Sequence, residues 1–196
     1  RKITERKRPR MKGRLIVISG PSGVGKGTLV KRLLRECDRL KLSVSATTRK
    51  PRREDTEGVT YFFKTKDEFR SMIENSAFME WAIYNDNYYG TPIAPVKEKL
   101  AEGYDVLLEI DVQGAMKVME RCPDGIYIFI APPSVETLRE RLTGRGSESP
   151  EQIDKRVAAA ESELELKDRY TYVVVNNVLD DAVRDVKNII ERKDSL

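Results

Sequence analysis

The sequence predicts an α/β protein: a mostly parallel sheet covered on both faces by helices and interrupted by a small strand-rich insert. Three observations carry that expectation. Residues 15–31, LIVIS-GPSGVGKGT-LVK, run from a β-rich apolar strand through a glycine-rich turn into a helix. Apolar runs then alternate with helical patterns for most of the chain, as a parallel sheet with crossover helices requires. Residues 42–91 hold more strand-like segments than one crossover needs, which marks the insert.

Each element has its own signal. Residues 15–18 form a short apolar strand, and Leu29, Val30, Leu33, Leu34 and Cys37 make one helical stripe after it. Residues 42–47 are expected as one strand and 60–63 as a second, followed by a short helix over 66–74. Residues 78–84 read as a strand ending in the turn Asn85-Asp86-Asn87. A helix over 92–102 stops at Gly103, a buried strand covers 106–110, and a helix covers 112–121. The strand 126–131 is bounded by Pro132-Pro133, and a helix over 136–142 is broken by Gly144-Arg145-Gly146-Ser147. Ser149 as cap, Pro150 at the first position and Gln152 at the third open a long helix striped by Ile153, Val157, Ala160 and Leu164. A last strand, 172–175, precedes a helix marked by Ala182, Val183, Val186, Ile189 and Ile190. The expected division is a basic arm over 1–13 and a single domain over 14–196. Its core comprises 14–41, 92–137 and 158–196, its insert 42–91 and a helical lid 138–157.

Composition narrows the chemistry. The 196 residues include no histidine and only two cysteines, Cys37 and Cys122. Ser-His-Asp and Cys-His catalysis are thereby excluded, a disulfide framework is absent, and a reducing cytoplasm is the expected setting. No apolar run reaches a membrane span and no signal peptide is visible. Catalysis must rest on Arg, Lys, Asp, Glu and backbone amides, which suits phosphoryl transfer. The net charge of +4 is uneven: residues 1–14 hold eight basic side chains against Glu5, and the remainder is slightly acidic. A solvated tail is favoured over a nucleic-acid arm, since no aromatics interleave the charges; the arm leaves the latter open. Met11 is a candidate natural start.

The pattern Gly20-x-x-x-x-Gly25-Lys26 fits a Walker A loop. Gly20, Gly23 and Gly25 let backbone N–H groups converge on one anion, the helix adds its positive end, and Lys26 supplies charge for the outer phosphates. The chain is therefore expected to bind a nucleoside triphosphate through Gly20, Pro21, Ser22, Gly23, Val24, Gly25, Lys26, Gly27 and Thr28. Gly27 stands where a metal-ligating hydroxyl is usual, so the metal is expected on Thr28 or on a carboxylate elsewhere, directly or through water. Asp111, at the end of an apolar strand, is such a carboxylate. Arg49 and Arg52 flank Pro51 and form a second anion-suited cluster, near which Tyr61 and Tyr89 could donate phenol hydrogens. Arg141 and Arg145 lie four apart and run into the glycine-broken loop, and Arg156 returns on the next helix; mobile arginines could close over a transferring group.

With these residues placed, the chain resembles the guanylate kinase family from about Arg14 to the last helix. The resemblance rests on GPSGVGKGT, SVSATTRKPR, Phe78-Met-Glu80-Trp81-Ala, Asn87-Tyr-Tyr89-Gly90-Thr91, Glu109-Ile-Asp111-Val-Gln113-Gly114 and Arg141-Leu-Thr-Gly-Arg145-Gly, in that order. It implies a P-loop nucleoside monophosphate kinase fold and transfer of the ATP γ-phosphoryl group to GMP with magnesium. It further implies that Arg49, Arg52, Tyr61 and Tyr89 hold the GMP phosphate, and that Ser45, Glu80 and Thr91 read guanine. Asp111 would serve the guanosine and metal side. Lys26, Arg49, Arg141, Arg145 and Arg156 would carry catalysis, and Asn176 would lie near the ATP base. ATP and GMP are the partners implied; a homo-oligomer is compatible with the sequence. The rival reading is a guanylate kinase-like interaction module, which typically loses parts of the loop or lid that are present here.

Overall fold

The computed structural model describes residues 12–144 and 149–191; most of the basic arm, Arg145 and the last five residues lie outside the described residues. In chain order the elements are β1 (Leu15–Ser19), α1 (Lys26–Glu36), β2 (Leu40–Leu42), β3 (Ala46–Thr47), β4 (Phe62–Phe63), α2 (Lys66–Glu74), β5 (Phe78–Tyr84) and β6 (Asn87–Pro92). There follow α3 (Ile93–Ala101), β7 (Asp105–Glu109), α4 (Val112–Arg121), β8 (Ile126–Ala131), α5 (Val135–Gly144), α6 (Pro150–Leu164), a 3-10 turn (Lys167–Arg169), β9 (Tyr172–Val175) and α7 (Leu179–Glu191).

Five strands form the core sheet in the order β2-β7-β1-β8-β9, all parallel. Strand alternation sorts its side chains into two layers. Ile16, Ile18, Leu107, Ile128, Ile130 and Val174 pack under α1 and α7, whereas Leu15, Val17, Val106, Leu108, Tyr127 and Phe129 pack under α3 and α4. The amino end of the sheet is tied by one guanidinium. Arg14 Nη2 donates to Asp105 Oδ2 at 2.7 Å and to the Ile190 carbonyl at 2.6 Å, joining β1, β7 and α7.

The insert has a sheet of its own, β4-β3-β6-β5, over Ala46, Phe69 and Phe78. The Phe69 and Phe78 rings stack with centroids 4.3 Å apart. The expected strand over 42–47 is corrected here. Leu42 ends β2 against Leu107, Ser43 N–H still donates to the Leu107 carbonyl at 2.8 Å, and Ala46 begins pairing in the other sheet. One apolar run therefore serves two sheets, with the crossing at 43–45. The expected strand over 60–63 contracts to Phe62–Phe63, Tyr61 forming only an isolated bridge to Glu57. Strand β6 was not expected, because Gly90 and Pro92 weaken its β signal. The turn before it was: Asn85 and Asp86 take φ of 47° and 60°, the left-handed pair that closes a tight hairpin.

A bulge then shapes β5. Phe78 pairs with Pro92 and Glu80 with Thr91, so Met79 is the extra residue. Phe78 enters the insert core, Met79 enters the main core, and Glu80 is left between them. The lid helices α5 and α6 share a separate small core of Leu138, Leu142, Ile153, Val157 and Ala160. The Ser149–Gln152 capping box opens α6 as the sequence predicts.

Candidate active site

The glycine loop leaves β1 at the carboxyl edge of the sheet, between β7 and β8, where the strand order reverses; ligands of open α/β sheets bind at such a point. Gly20, Gly23 and Gly25 take φ of 142°, 89° and 95°. A side chain at Gly20 would also run into the Ile130 carbonyl. Helix α1 begins with no capping side chain and no acidic residue in its first turn, so its first N–H groups are offered to an anion. Val24 is fully buried and pins the loop to the core.

Lys26 sits inside this loop. Its Nζ donates to the Gly20 carbonyl and, at 3.0 Å, to that of Pro21. Burial lowers its pKa, while the charges of Glu109, Glu163 and Asp111 pull the other way. Asn176 is buried and donates from Nδ2 to the Val24 carbonyl at 2.8 Å, bracing the loop from β9. Two expected lid arginines reach the same region. Arg156 Nη2 donates to Ser22 Oγ at 2.6 Å, and Arg141 Nη2 to the Asn176 carbonyl at 2.9 Å. Thr28 is exposed on the first turn of α1. Arg145 lies outside the described residues.

Two acids that carried no expected role stand here. Were Gly27 to bear a Cβ, it would lie 3.6 Å from Glu109 Oε1, so a carboxylate flanks the position that lacks the usual hydroxyl. Burial raises the Glu109 pKa, opposed by Lys26 and Lys31. Glu163, near the end of α6, is likewise raised by burial and opposed by Lys26. Glu109 ends a core strand beside the loop, the same positional signal that singles out Asp111.

The insert builds a second cluster. The Arg49 guanidinium lies 5.3 Å from the Tyr61 ring centroid and pairs with Asp55 Oδ2 at 2.9 Å. Tyr89 meets Tyr61 edge-on at 6.1 Å between centroids. These three expected anion ligands are therefore together. Arg52 behaves differently: its backbone N–H donates to Asp55 Oδ2 at 2.6 Å and its side chain is exposed. Ser45 is half-buried on the crossing between the sheets.

Glu80 occupies the third position. It is buried and accepts from Thr91 Oγ1 at 2.6 Å across the β5–β6 pair. Its other oxygen, Oε2, lies over Gly114, 3.2 Å from where a Cβ would stand; Asp111 Oδ1 lies 3.3 Å from the same point. Asp111 caps α4, accepting from Gly114 N–H at 2.6 Å. Burial raises the Glu80 pKa, Asp111 adds to the rise, and the Thr91 hydroxyl and Lys117 oppose it. An anion-binding loop, an arginine–tyrosine cluster and a buried carboxylate thus stand on separate elements, suited to two phosphates and one hydrogen-bonding base.

Comparison with known proteins agrees in extent as well as kind. A family model described as guanylate kinase matches residues 12–193. The guanylate kinase of Caldanaerobacter subterraneus subsp. tengcongensis is 54% identical over 178 residues, spanning 91% of this chain and 86% of that protein. The guanylate kinase of Halalkalibacterium halodurans is 50% identical over 179 residues, spanning 91% and 88%. A crystal structure of guanylate kinase from Anaplasma phagocytophilum superposes with a TM-score of 0.71 at 33% identity, covering 92% of this chain and 86% of that one. Since the match runs through insert, lid and both sheets and not the glycine loop alone, the chain belongs to the guanylate kinase family.

Proposed function

We propose that this protein transfers the γ-phosphoryl group of ATP to GMP, giving ADP and GDP, in the cytoplasm and with magnesium. Family membership supports the reaction class. The observation that carries the acceptor is the buried Glu80, bonded to Thr91 and facing Asp111. An ionised carboxylate accepts from guanine N1–H and the 2-amino group together, whereas adenine offers an unprotonated N1 and no 2-amino group. A site that leaves buried polar groups unpaired can discriminate by about 10⁴ or more.

In this reading the loop N–H groups and Lys26 cradle the ATP phosphates, and Arg49, Arg52, Tyr61 and Tyr89 hold the GMP phosphate. Ser45 helps to read the base. A GMP phosphate oxygen attacks the γ-phosphorus in line and the bridging oxygen departs with ADP; no protein nucleophile is needed. Arg141, Arg145 and Arg156 neutralise charge on the transferring group as the lid closes and excludes water. Among the described residues no three acidic or thiol ligands form a metal cage. Magnesium needs none, since one or two carboxylates with substrate phosphates and waters suffice. Thr28, Asp111 and Glu109 are the oxygen donors suited to hold it, and bound there it would offset charge on the β- and γ-phosphates.

The test is ADP formation from ATP and magnesium with GMP, AMP, CMP or UMP offered separately. Turnover with GMP and not AMP is expected. Equal use of AMP overturns the acceptor assignment, and tight GMP binding without turnover would favour an interaction module.

A further inference from the structure

Helix α4 turns one stripe of residues towards β5. Asp111 at its cap, Gly114, Lys117 and Arg121 recur at three- or four-residue spacing and share a face. Gly114 leaves the space that Glu80 Oε2 fills. Lys117 Nζ donates to the Trp81 carbonyl at 2.8 Å and lies 5.8 Å from the indole centroid. Arg121 Nη1 donates to the Phe78 carbonyl at 2.6 Å. The two carbonyls held in this way bracket the bulge that aims Glu80. Neither cation belongs to the nucleotide-binding set described above.

We propose that Lys117, assisted by Arg121, is a specificity-positioning residue: it fixes the bulged β5 backbone so that Glu80 meets the acceptor base. The proposal rests on the reading of Glu80 as the guanine-binding group. Its content is geometric. Glu80 Oε1 is held by the Thr91 hydroxyl and Oε2 lies over Gly114, so a shift of the strand carries both acceptors out of register with the guanine donors. Removing the ammonium group therefore loosens the strand and weakens the discrimination between bases. A bond at 2.8 Å from a lysine to a strand carbonyl leaves the phosphate loop untouched, so ATP handling stays as it was.

The experiment compares wild type, Lys117→Met, Lys117→Arg, Arg121→Met and Glu80→Gln. It reads kcat, the KM for GMP, AMP and ATP, and Tm. For Lys117→Met the KM for GMP is expected to rise about tenfold, with kcat and the KM for ATP within twofold. Its preference for GMP over AMP narrows as well; Lys117→Arg restores both. Arg121→Met is expected to raise the KM for GMP less. A fall in Tm with an unchanged KM for GMP and an unchanged GMP:AMP ratio in Lys117→Met overturns the proposal, as does wild-type behaviour throughout. If Glu80→Gln leaves the KM for GMP unchanged, the guanine reading itself fails. If Glu80→Gln raises it and Lys117→Met does not, only the role of Lys117 fails.

Discussion

Lys26 holds its own loop together before it holds anything else. Its bonds to the Gly20 and Pro21 carbonyls mean that an arriving phosphate must outcompete two carbonyl oxygens, which a doubly charged group does readily. Its charge is also costly, since burial pushes its pKa down against the pull of Glu109, Glu163 and Asp111. Lys26→Met is therefore expected to cut kcat by about 10³ or more while Tm holds or rises, measured by turnover and thermal melting. Glu80 follows the complementary sign. Its pKa is raised on folding, so the stability linked to its protonated form is present in acid and lost as pH climbs through the folded value. Glu80→Gln should thus melt no lower than wild type at neutral pH while losing GMP affinity. In the wild type, kcat/KM for GMP should fall on acidification at a pH above the ordinary carboxylate range. Lys26 stands out from its glycine frame, and Arg49 and Tyr61 from a clustered anion pattern, whereas Ser45, Glu80, Thr91 and Asn176 are singled out only by the family resemblance. Glu109 carries the same strand-end signal as Asp111 and is given no role from sequence; its place beside the missing side chain of Gly27 is a product of folding.

Among elements, α4 illustrates how function sets local composition against helix stability. Glycine inside a helix costs roughly 1 kcal/mol relative to alanine. Gly114 is tolerated because a Cβ there would stand 3.2 Å from Glu80 Oε2 and 3.3 Å from Asp111 Oδ1. Gly114→Ala is expected to raise helix propensity yet weaken GMP binding several-fold, with the KM for ATP unchanged; equal affinity for GMP in titration calorimetry would refute the steric account. The core strands, the helices and the α6 capping box were readable because each carries its own period or cap. The split at 43–45 was not, since one continuous apolar run gives no sign that its two ends pair in different sheets. Strand β6 escaped for the opposite reason: Gly90 and Pro92 look like loop residues until the Thr91–Glu80 pairing gives them a place.

Across the whole molecule, α5–α6 and the insert each carry a small core separate from the two layers that cover the main sheet. The lid packs on itself through Leu138, Leu142, Ile153 and Val157, and the insert through Phe69 and Phe78. The α4 cations hold β5 by its backbone. Binding of GMP with a non-hydrolysable ATP analogue should therefore slow hydrogen exchange in 46–63 and in the lid helices while β5 and α4 change little. Exchange altered throughout β5 would show that the insert moves as one block. The alternating pattern of the chain foretold a parallel sheet with an insert and lid; which strand joins them needed three-dimensional pairing.

The Arg14 tie has a practical consequence at this scale. One guanidinium joins the start of β1 to the carbonyl of Ile190 in the last helix, so both ends of the described chain meet at a single edge of the sheet. The glycine loop opens at the opposite edge, five strand residues away, about 16 Å along β1. A short linker from Glu191 back to Lys12 could therefore close the described residues into a ring, with new ends cut at the Asn85–Asp86 hairpin tip. A surface or fusion partner joined at Lys12 or at Glu191 would leave the glycine-loop edge facing outwards.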